Sequence, residues 1–331
     1  MGFISFMNKT HFFLLFLSIC LTSCFSNKDK SKENTPAPIN TIAVIIDDQL
    51  WNGEVGDSIR NKFASPVIGL PQEEPKFTIN QYATKLFEGY STTSRNLLII
   101  KKENKNNFEI KRNEFATPQN SFHISGKTIN DILEILQTNT PRIIQVMKSQ
   151  EIIQNQALFT DSLLNIKKIQ KKFKINLLIP SKYKYVMRRK SFIWLKSEIT
   201  SGNTSLLIYQ LPWKNNTIFS VKDVINTRDT IGNLYIHGSE RGTRMITEEE
   251  YAPYFSQTFL DGNTTFETKG TWQMENDYMS GPFINYFILD AANKRIMVLE
   301  GFCYAPSKPK RDLMFELEAI IRSIRFNKKK K

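Results

Sequence analysis

The spacing of apolar residues changes near residue 172, and this change predicts two halves of different character. Before it, short β-rich runs alternate with segments in which apolar residues recur at helical spacing. Beyond it, most apolar runs have the length of single strands. We therefore predict an α+β fold with two α/β halves: an N-terminal α+β domain over 41–172 and a C-terminal antiparallel α+β domain over 173–327.

The first half is predicted to mix strands and helices. Its expected elements are strands over 41–46 and 96–100, a hairpin partner of the second strand over 108–111, and helices over 53–63, 79–87 and 129–136. A Thr-Asn-Thr-Pro break follows at 138–141. The apolar spacing after this break supports one long helix or a broken pair of helices that reaches about Lys172.

The second half is predicted to be one antiparallel sheet with a helix at its end. Its expected strands cover 173–179, 192–198, 205–211, 266–274, 283–289 and 295–304. A closing helix over 310–325 carries one apolar stripe and is expected to cover one face of the sheet. This order resembles, as topology, the small α+β domains of the PsbP and Mog1 kind, and topology carries no function.

The first 23 residues have the order of parts of a secretory signal peptide. A polar start with Lys9 is followed by an apolar run over 12–21, which is shorter than the roughly 20 residues that a membrane-spanning helix needs. The run ends in Leu21-Thr22-Ser23-Cys24, which resembles the lipobox of bacterial lipoproteins. Cys20 is the rival lipid site, but it follows the bulky Ile19.

Lipobox proteins are cut before the cysteine, so the resemblance implies a signal peptide over 1–23 and a lipid-bearing Cys24. In that class the thiol takes a diacylglycerol and the new amino terminus is acylated with chains such as palmitate, and two or more chains anchor stably. The polar, Pro-punctuated segment 24–40 is then a flexible tether. Residues 328–331 form a basic tail.

Cysteine usage indicates a folded part without disulfides. Cys20 leaves with the signal peptide and Cys24 carries lipid, so Cys303 is the single thiol left in the folded part. Its position in the apolar run 296–304 predicts that it is buried in a core.

The formal charge of +13 predicts a basic surface. The densest basic stretch runs from Lys167 to Lys190 without an acid. Two interpretations of it are open: it is a solvated helix face without a partner, or it contacts anionic lipid head groups. We expect a membrane partner through the lipid anchor. We expect no nucleic-acid partner, because a protein exported to the envelope is separated from the nucleic acid of the cell.

Four spaced motifs carry a family resemblance. They cover 45–57 (I-I-D-D-Q-L-W-N-G-E-V-G-D), 69–77 (G-L-P-Q-E-E-P-K-F), 270–283 and 301–306 with Lys310-Arg311 behind it. In their order they resemble the motifs of a family of Bacteroidetes envelope lipoproteins, which is classed only as a domain of unknown function. The resemblance implies a location in the cell envelope, at the outer membrane. It leaves open whether the protein lies on the periplasmic face or on the surface face. It implies no reaction and no cofactor.

Two loops hold the candidate binding residues, and we expect them to meet. They are Asp47, Asp48, Trp51, Glu54 and Asp57 in the 47–57 loop, and Glu73 and Glu74 in the 69–77 loop. Rigid Gly/Pro loops with acids and aromatics are where binding residues collect. The alternative is that the acids cap turns, that Asp57 pairs with Arg60, and that Trp51 and Phe77 are core residues.

No catalytic or metal site is predicted. The acids of the 47–57 loop are compatible with the carboxylate pair of a glycoside hydrolase, but they are also the acids that cap turns. For a metal site, His123 and His237 do not have the spacing of metal ligands. We therefore expect a membrane-anchored, non-enzymatic binding or scaffold lipoprotein with an envelope protein or a glycan as partner. The alternative is an envelope hydrolase that acts on glycan or peptidoglycan.

Overall fold

The computed structural model describes residues 38–213 and 219–327. The predicted signal peptide, Cys24, the tether up to residue 37 and the basic tail lie outside these described residues. Within them the chain is an α+β fold whose two halves each carry a sheet. None of the helices in the described ranges is long and apolar enough to cross a membrane.

The first half is built on a mostly parallel five-stranded sheet. Its elements are β1 (Thr41–Ile45), α1 (Asp48–Trp51), α2 (Glu54–Phe63), β2 (Thr78–Tyr82), β3 (Asn96–Lys102), β4 (Asn107–Arg112), β5 (Asn120–Gly126) and α3 (Ile129–Phe159). The strand order is β2-β1-β3-β5-β4, and β4 runs antiparallel to β5. All five residues of β1 are buried, as expected of a central parallel strand.

Two predicted elements of this half are wrong. The helix over 79–87 is instead β2 and a short 3-10 turn, because the backbone of β2 pairs with β1 along its whole length. The hairpin between the strands at 96–100 and 108–111 does not form, since β3 and β4 both pair with β5. The sequence of β5, N-S-F-H-I-S-G, is too polar to be recognised as a strand, although most of it is buried.

The predicted break at 138–141 is also wrong, because α3 continues through Pro141. A single buried stripe runs along the helix on both sides of the proline, from Ile132 to Phe159. Burying this stripe outweighs the roughly 3 kcal/mol that an interior proline costs. The helix begins with a capping box in which Thr128 and Asp131 bond each other's backbone.

The second half is built on an antiparallel eight-stranded sheet. Its elements are α4 (Lys167–Phe173), β6 (Ile175–Asn176), β7 (Lys184–Arg188), β8 (Phe192–Ile199), β9 (Gly202–Pro212), α5 (Val221–Tyr235), β10 (Met245–Thr247), β11 (Tyr254–Leu260), β12 (Asn263–Met274), β13 (Ser280–Asp290), β14 (Arg295–Tyr304), α6 (Arg311–Arg322) and β15 (Arg325–Phe326). The order is β10-β12-β13-β14-β9-β8-β7, β11 also pairs with β12, and β6 and β15 form a separate ladder.

Helices cover both faces of this sheet. The terminal helix α6 packs on β14, as predicted, and the contact is so close that a Cβ at Gly301 would lie 2.8 Å from the Leu317 Cβ. On the other face lies α5, which the apolar pattern does not reveal. Its start carries a recognisable signal, since Ser220 and Asp223 form a capping box.

The two halves are joined by α3, which packs along α6. The upstream part of α3 lies in the core of the first half, whereas Phe159 belongs to the core of the second. Gln156 Nε2 donates to the Ala319 carbonyl of α6 at 2.9 Å. One helix is therefore part of both cores.

Glu151 of α3 fixes the beginning of the folded part. Its carboxylate is fully buried and accepts hydrogen bonds from Arg95, from the Asn96 side chain and from the Asn40 backbone. The side-chain amide of Asn40 in turn donates to Asp312 of α6 at 3.0 Å. The end of the predicted tether is thus held by both halves.

A buried ion pair lies in the core beneath α5. Arg228 and Glu300 are both 1% exposed and form two hydrogen bonds of 3.0 and 2.7 Å. Asn285 donates to the same carboxylate, and the ring of Phe283 lies 3.5 Å from the guanidinium. Every charge in this cluster has a partner.

Replacement of Arg228 by methionine is expected to lower the free energy of unfolding by about 3–5 kcal/mol, because it leaves the Glu300 carboxylate buried without its partner. The matched control is Arg241→Met, since Arg241 is exposed. Denaturant unfolding followed by circular dichroism measures both variants. Equal unfolding midpoints for the two would show that the pair does not stabilise the fold.

Cys303 is buried, as the sequence predicts, and burial raises the pKa of its thiol to about 12. In the unlipidated chain that begins at Phe25, Cys303 is the only cysteine. We expect a thiol reagent to label the native chain about a thousandfold more slowly than the denatured chain, because the thiolate is the reactive form. Fast labelling of the native chain would contradict the core position.

Candidate functional site: a basic cleft between the halves

The acids that follow β1 have mainly local partners. Asp57 accepts a 2.7 Å hydrogen bond from Arg60, and the Arg60 guanidinium lies 4.5 Å from the ring centroid of the half-buried Trp51. Asp48 accepts a 3.3 Å hydrogen bond from Gln81. The predicted pairing of Asp57 with Arg60 is thus confirmed, and one ring face of Trp51 is covered.

Asp47 and Glu54 are exposed at the starts of the two short helices. The backbone of Asp47 is extended before α1, and its side chain forms no capping hydrogen bond. Glu54 lies in the first turn of α2, where a negative charge is favourable.

The two loops that hold the candidate residues lie at opposite ends of the β1–β2 pair. The 47–57 loop follows β1, where Ile46 pairs with Tyr82, whereas the 69–77 loop precedes β2 and ends beside Asn40. Five strand residues separate these ends, a distance of about 16 Å. The structure therefore does not bring the 47–57 and 69–77 loops together, and the expected shared surface is not formed.

Glu74 holds the first half to the second. Its two carboxylate oxygens accept hydrogen bonds from the backbone N–H groups of Lys310 (2.6 Å) and Arg311 (2.9 Å), where α6 begins. Unpaired N–H groups and the helix dipole both favour an anion there. Phe77 is fully buried, which confirms the core alternative for this residue. Glu73 is exposed and lines a cavity.

That cavity is part of a cleft between the halves. Three adjoining cavities share Val67 and Ile68, and the largest has a volume of about 410 Å³. The loop that carries these residues lies against β12, where a Cβ at Gly69 would approach the Lys269 Cβ to 2.9 Å. Gly69 has φ +85°, so glycine permits both the turn and the contact. Two of the sequence motifs, 69–77 and 270–283, thus form opposite walls.

The inner part of the cleft carries an excess of positive charge. Lys269 lies 3.0 Å from Glu267 and 3.7 Å from Glu318, and Arg322 pairs with the same two acids at 3.1 and 2.8 Å. Lys148 of α3 and Lys76 also line the cleft. Neither has a hydrogen bond or ion pair with its side chain among the described residues.

The pKa shifts follow this arrangement. Burial alone would raise the pKa of Glu318, but Lys269 and Arg322 outweigh it and lower that pKa to about 2. Burial also favours the neutral form of Lys269, whereas Glu318 and Glu267 raise its pKa overall. For Lys148, burial prevails and the pKa is lowered. Burial thus disfavours the charged form of Lys148, and no described carboxylate forms an ion pair with it.

The outer part of the cleft combines aromatic and apolar side chains with the acids Glu73 and Glu248. Tyr251 and Tyr254 are largely exposed beside Ile68, and Phe255 stacks on Phe266 with 5.6 Å between ring centroids. Exposed aromatic side chains around a concave site are typical of ligand-binding surfaces.

One polar group on the wall has no partner. The Thr271 side chain is 6% exposed, and its hydroxyl oxygen forms no hydrogen bond among the described residues. Thr271 lines the largest cavity of the cleft. Buried hydroxyls usually have a partner, so Thr271 is an exception, although its oxygen is enclosed in the wall and not exposed to the cavity.

The residues of the cleft come from distant parts of the sequence, which is why the sequence alone does not reveal them. Lys148 resembles any solvated lysine of a helix, and Lys269 any polar residue of a strand. Their juxtaposition depends on how α3 and α6 pack. Among residues 38–213 and 219–327, no three His, Cys, Asp or Glu side chains are grouped as metal ligands.

Comparisons with solved structures give low similarity. The yeast Ran-binding protein Mog1p from Saccharomyces cerevisiae matches with a TM-score of 0.31 and 9% identity over 46% of this chain and 90% of that one. A STAR-related lipid transfer protein from Xanthomonas axonopodis matches with a TM-score of 0.20 and 9% identity over 43% and 96% of the two chains.

Comparisons with protein families divide the chain into two segments. Among curated proteins, none matches it significantly. Residues 36–160 match the family model of the domain of unknown function DUF8532. Residues 162–323 match that of the domain of unknown function DUF4837.

Proposed function

We propose that this protein is a lipid-anchored binding protein of the bacterial cell envelope, and that the cleft binds an amphiphile with an anionic group. The single observation that carries the proposal is Lys148. It is a half-buried cation without a protein partner, and it faces a cavity. An isolated buried charge is costly unless something pairs with it, and an anionic ligand would supply that pair.

The rest of the cleft supports this ligand class. Lys76 and Lys269 place further positive charge near Lys148. Tyr254 and Ile68 provide an apolar rim for the other end of an amphiphile. Lys148 lines the two smaller cavities, of about 50 and 210 Å³, and these adjoin the cavity of about 410 Å³. Small-molecule sites range from about 300 to 1,000 Å³.

The anchor rests on the sequence Leu21-Thr22-Ser23-Cys24 behind a short apolar run. We propose that Cys24 carries the acyl chains and that the protein is a Bacteroidetes lipoprotein at the outer membrane. The chain from Cys24 to Pro38 can span at most about 50 Å. The folded part would therefore stay close to the membrane.

The ligand site can be tested with 8-anilinonaphthalene-1-sulfonate, an anionic aromatic probe, and the unlipidated chain from Phe25. We expect saturable binding with increased fluorescence, and about tenfold weaker binding for Lys148→Gln, because an ionic hydrogen bond is lost. The matched control, Lys102→Gln, changes an exposed lysine of the first half and should bind like wild type.

The stability of the same variants separates binding from folding. Lys148 has no partner to lose, so Lys148→Gln should unfold at the same denaturant concentration as wild type or a higher one. A probe that does not bind wild type, or that binds both variants with wild-type affinity, would contradict the proposed ligand site.

The anchor can be tested by detergent phase partition of protein from cells that export the full chain. We expect wild type in the detergent phase and Cys24→Ser in the aqueous phase, since the variant lacks acyl chains. Cys20→Ser is the matched control and should stay in the detergent phase. The assignment of Cys24 is wrong if Cys24→Ser partitions like wild type.

A further inference from the structure

The basic stretch of the sequence folds into one surface that the cleft does not use. We call it the basic face and define it by the exposed cations of α4, of β7 and of the turn after β7: Lys167, Lys168, Lys171, Lys184, Arg188, Arg189 and Lys190. These residues lie up to 23 positions apart in the chain. Their assembly therefore depends on the fold.

Contacts between α4 and β7 hold the basic face together. Lys168 Nζ lies 5.4 Å and the Arg188 guanidinium 5.9 Å from the ring centroid of Tyr185, so both cations lie against one aromatic side chain. Lys172 of α4 donates to the backbone carbonyls of Arg189 and Lys190. The helix is thus fixed across the β7–β8 hairpin, while Ile169 and Phe173 anchor it in the core.

The charges of the basic face are not neutralised by the protein. None of its seven cations has a carboxylate within 4 Å among the described residues, although the neighbouring Lys182 pairs with Glu316 and Lys196 with Glu198. Asp161 is a further exposed acid close by in the chain. Like charges this close repel one another, so the surface favours an anionic partner with many charges.

Apolar side chains accompany the cations. Val186 is 49% exposed and lies between Lys184 and Arg188 on β7, at an irregularity of the strand. Leu163 is 43% exposed, and the Asn165 carbonyl, two residues further on, accepts a hydrogen bond from Tyr185. Cations beside exposed aliphatic groups are typical of surfaces that contact the head-group layer of a membrane.

We infer that the basic face docks on the anionic head groups of a lipid bilayer. The complementarity of charge favours a lipid surface, since a bilayer presents many anionic groups in a plane and takes up aliphatic side chains such as Val186. Docking of this face adds to the proposed anchor: the lipid chains hold the protein near the membrane, and the basic face sets which side of the folded part is turned towards it.

The experiment uses the unlipidated chain from Phe25 to Lys331, so that its result does not depend on Cys24. Binding is measured by sedimentation with phosphatidylcholine vesicles, with or without about one third phosphatidylglycerol. We expect binding to the anionic vesicles alone, and a decrease as salt screens the charges. The variant Lys167→Glu, Lys171→Glu, Lys190→Glu should bind about a hundredfold more weakly, because each cation near a surface contributes about fivefold.

The matched control is Lys101→Glu, Lys102→Glu, Lys105→Glu, which changes the net charge equally on exposed residues of the first half. It should keep wild-type binding within about threefold, since its lysines lie outside the basic face. Thermal unfolding checks that both variants are folded. Equal losses in the two variants, equal binding of wild type to neutral and anionic vesicles, or tighter binding to single-stranded DNA than to anionic vesicles would each overturn the inference.

Discussion

The packing of α3 on α6 is the contact on which the arrangement of the two halves depends. With 31 residues, α3 extends about 46 Å, and its buried stripe belongs to the core of the first half at Met147 and to that of the second at Phe159. Each fully buried apolar side chain contributes about 1.5–3 kcal/mol. The halves therefore cannot separate without exposing part of both cores, and the cleft between them keeps its shape because its walls belong to the same packed unit.

The protein treats buried charge in two different ways. Beneath α5 the guanidinium of Arg228 and the carboxylate of Glu300 satisfy each other, with Asn285 as a further partner. In the cleft, Arg322 and Lys269 neutralise Glu267 and Glu318, but Lys148 is left over. A cluster in which every charge is paired stabilises a fold, whereas an unpaired charge at the surface of a cavity has capacity for a ligand. This difference, more than the size of the cavity, distinguishes the cleft from the rest of the structure.

The sequence predicts elements well where local pattern and tertiary contacts agree. The strands β8, β9, β12, β13 and β14 and the terminal helix lie close to where the apolar runs place them. Where long-range contacts determine the secondary structure, the apolar pattern predicts it wrongly. β2 is a strand because β1 pairs with it. The chain stays helical at Pro141 because helix residues on both sides of the proline are buried. The candidate site shows the same limit. Glu74 carries the acid that a loop motif suggests, but its role as a helix cap depends on a helix more than 230 residues away.

The Glu74 contact bears on how this kind of chain evolves. The carboxylate is supplied by the segment that matches one family model, and the helix that it caps belongs to the segment that matches another. In a shuffled protein with a different first segment, the first turn of α6 would have unpaired N–H groups unless the new neighbour happened to place an acceptor there. The helix cap is thus one contact that a recombined chain would have to replace.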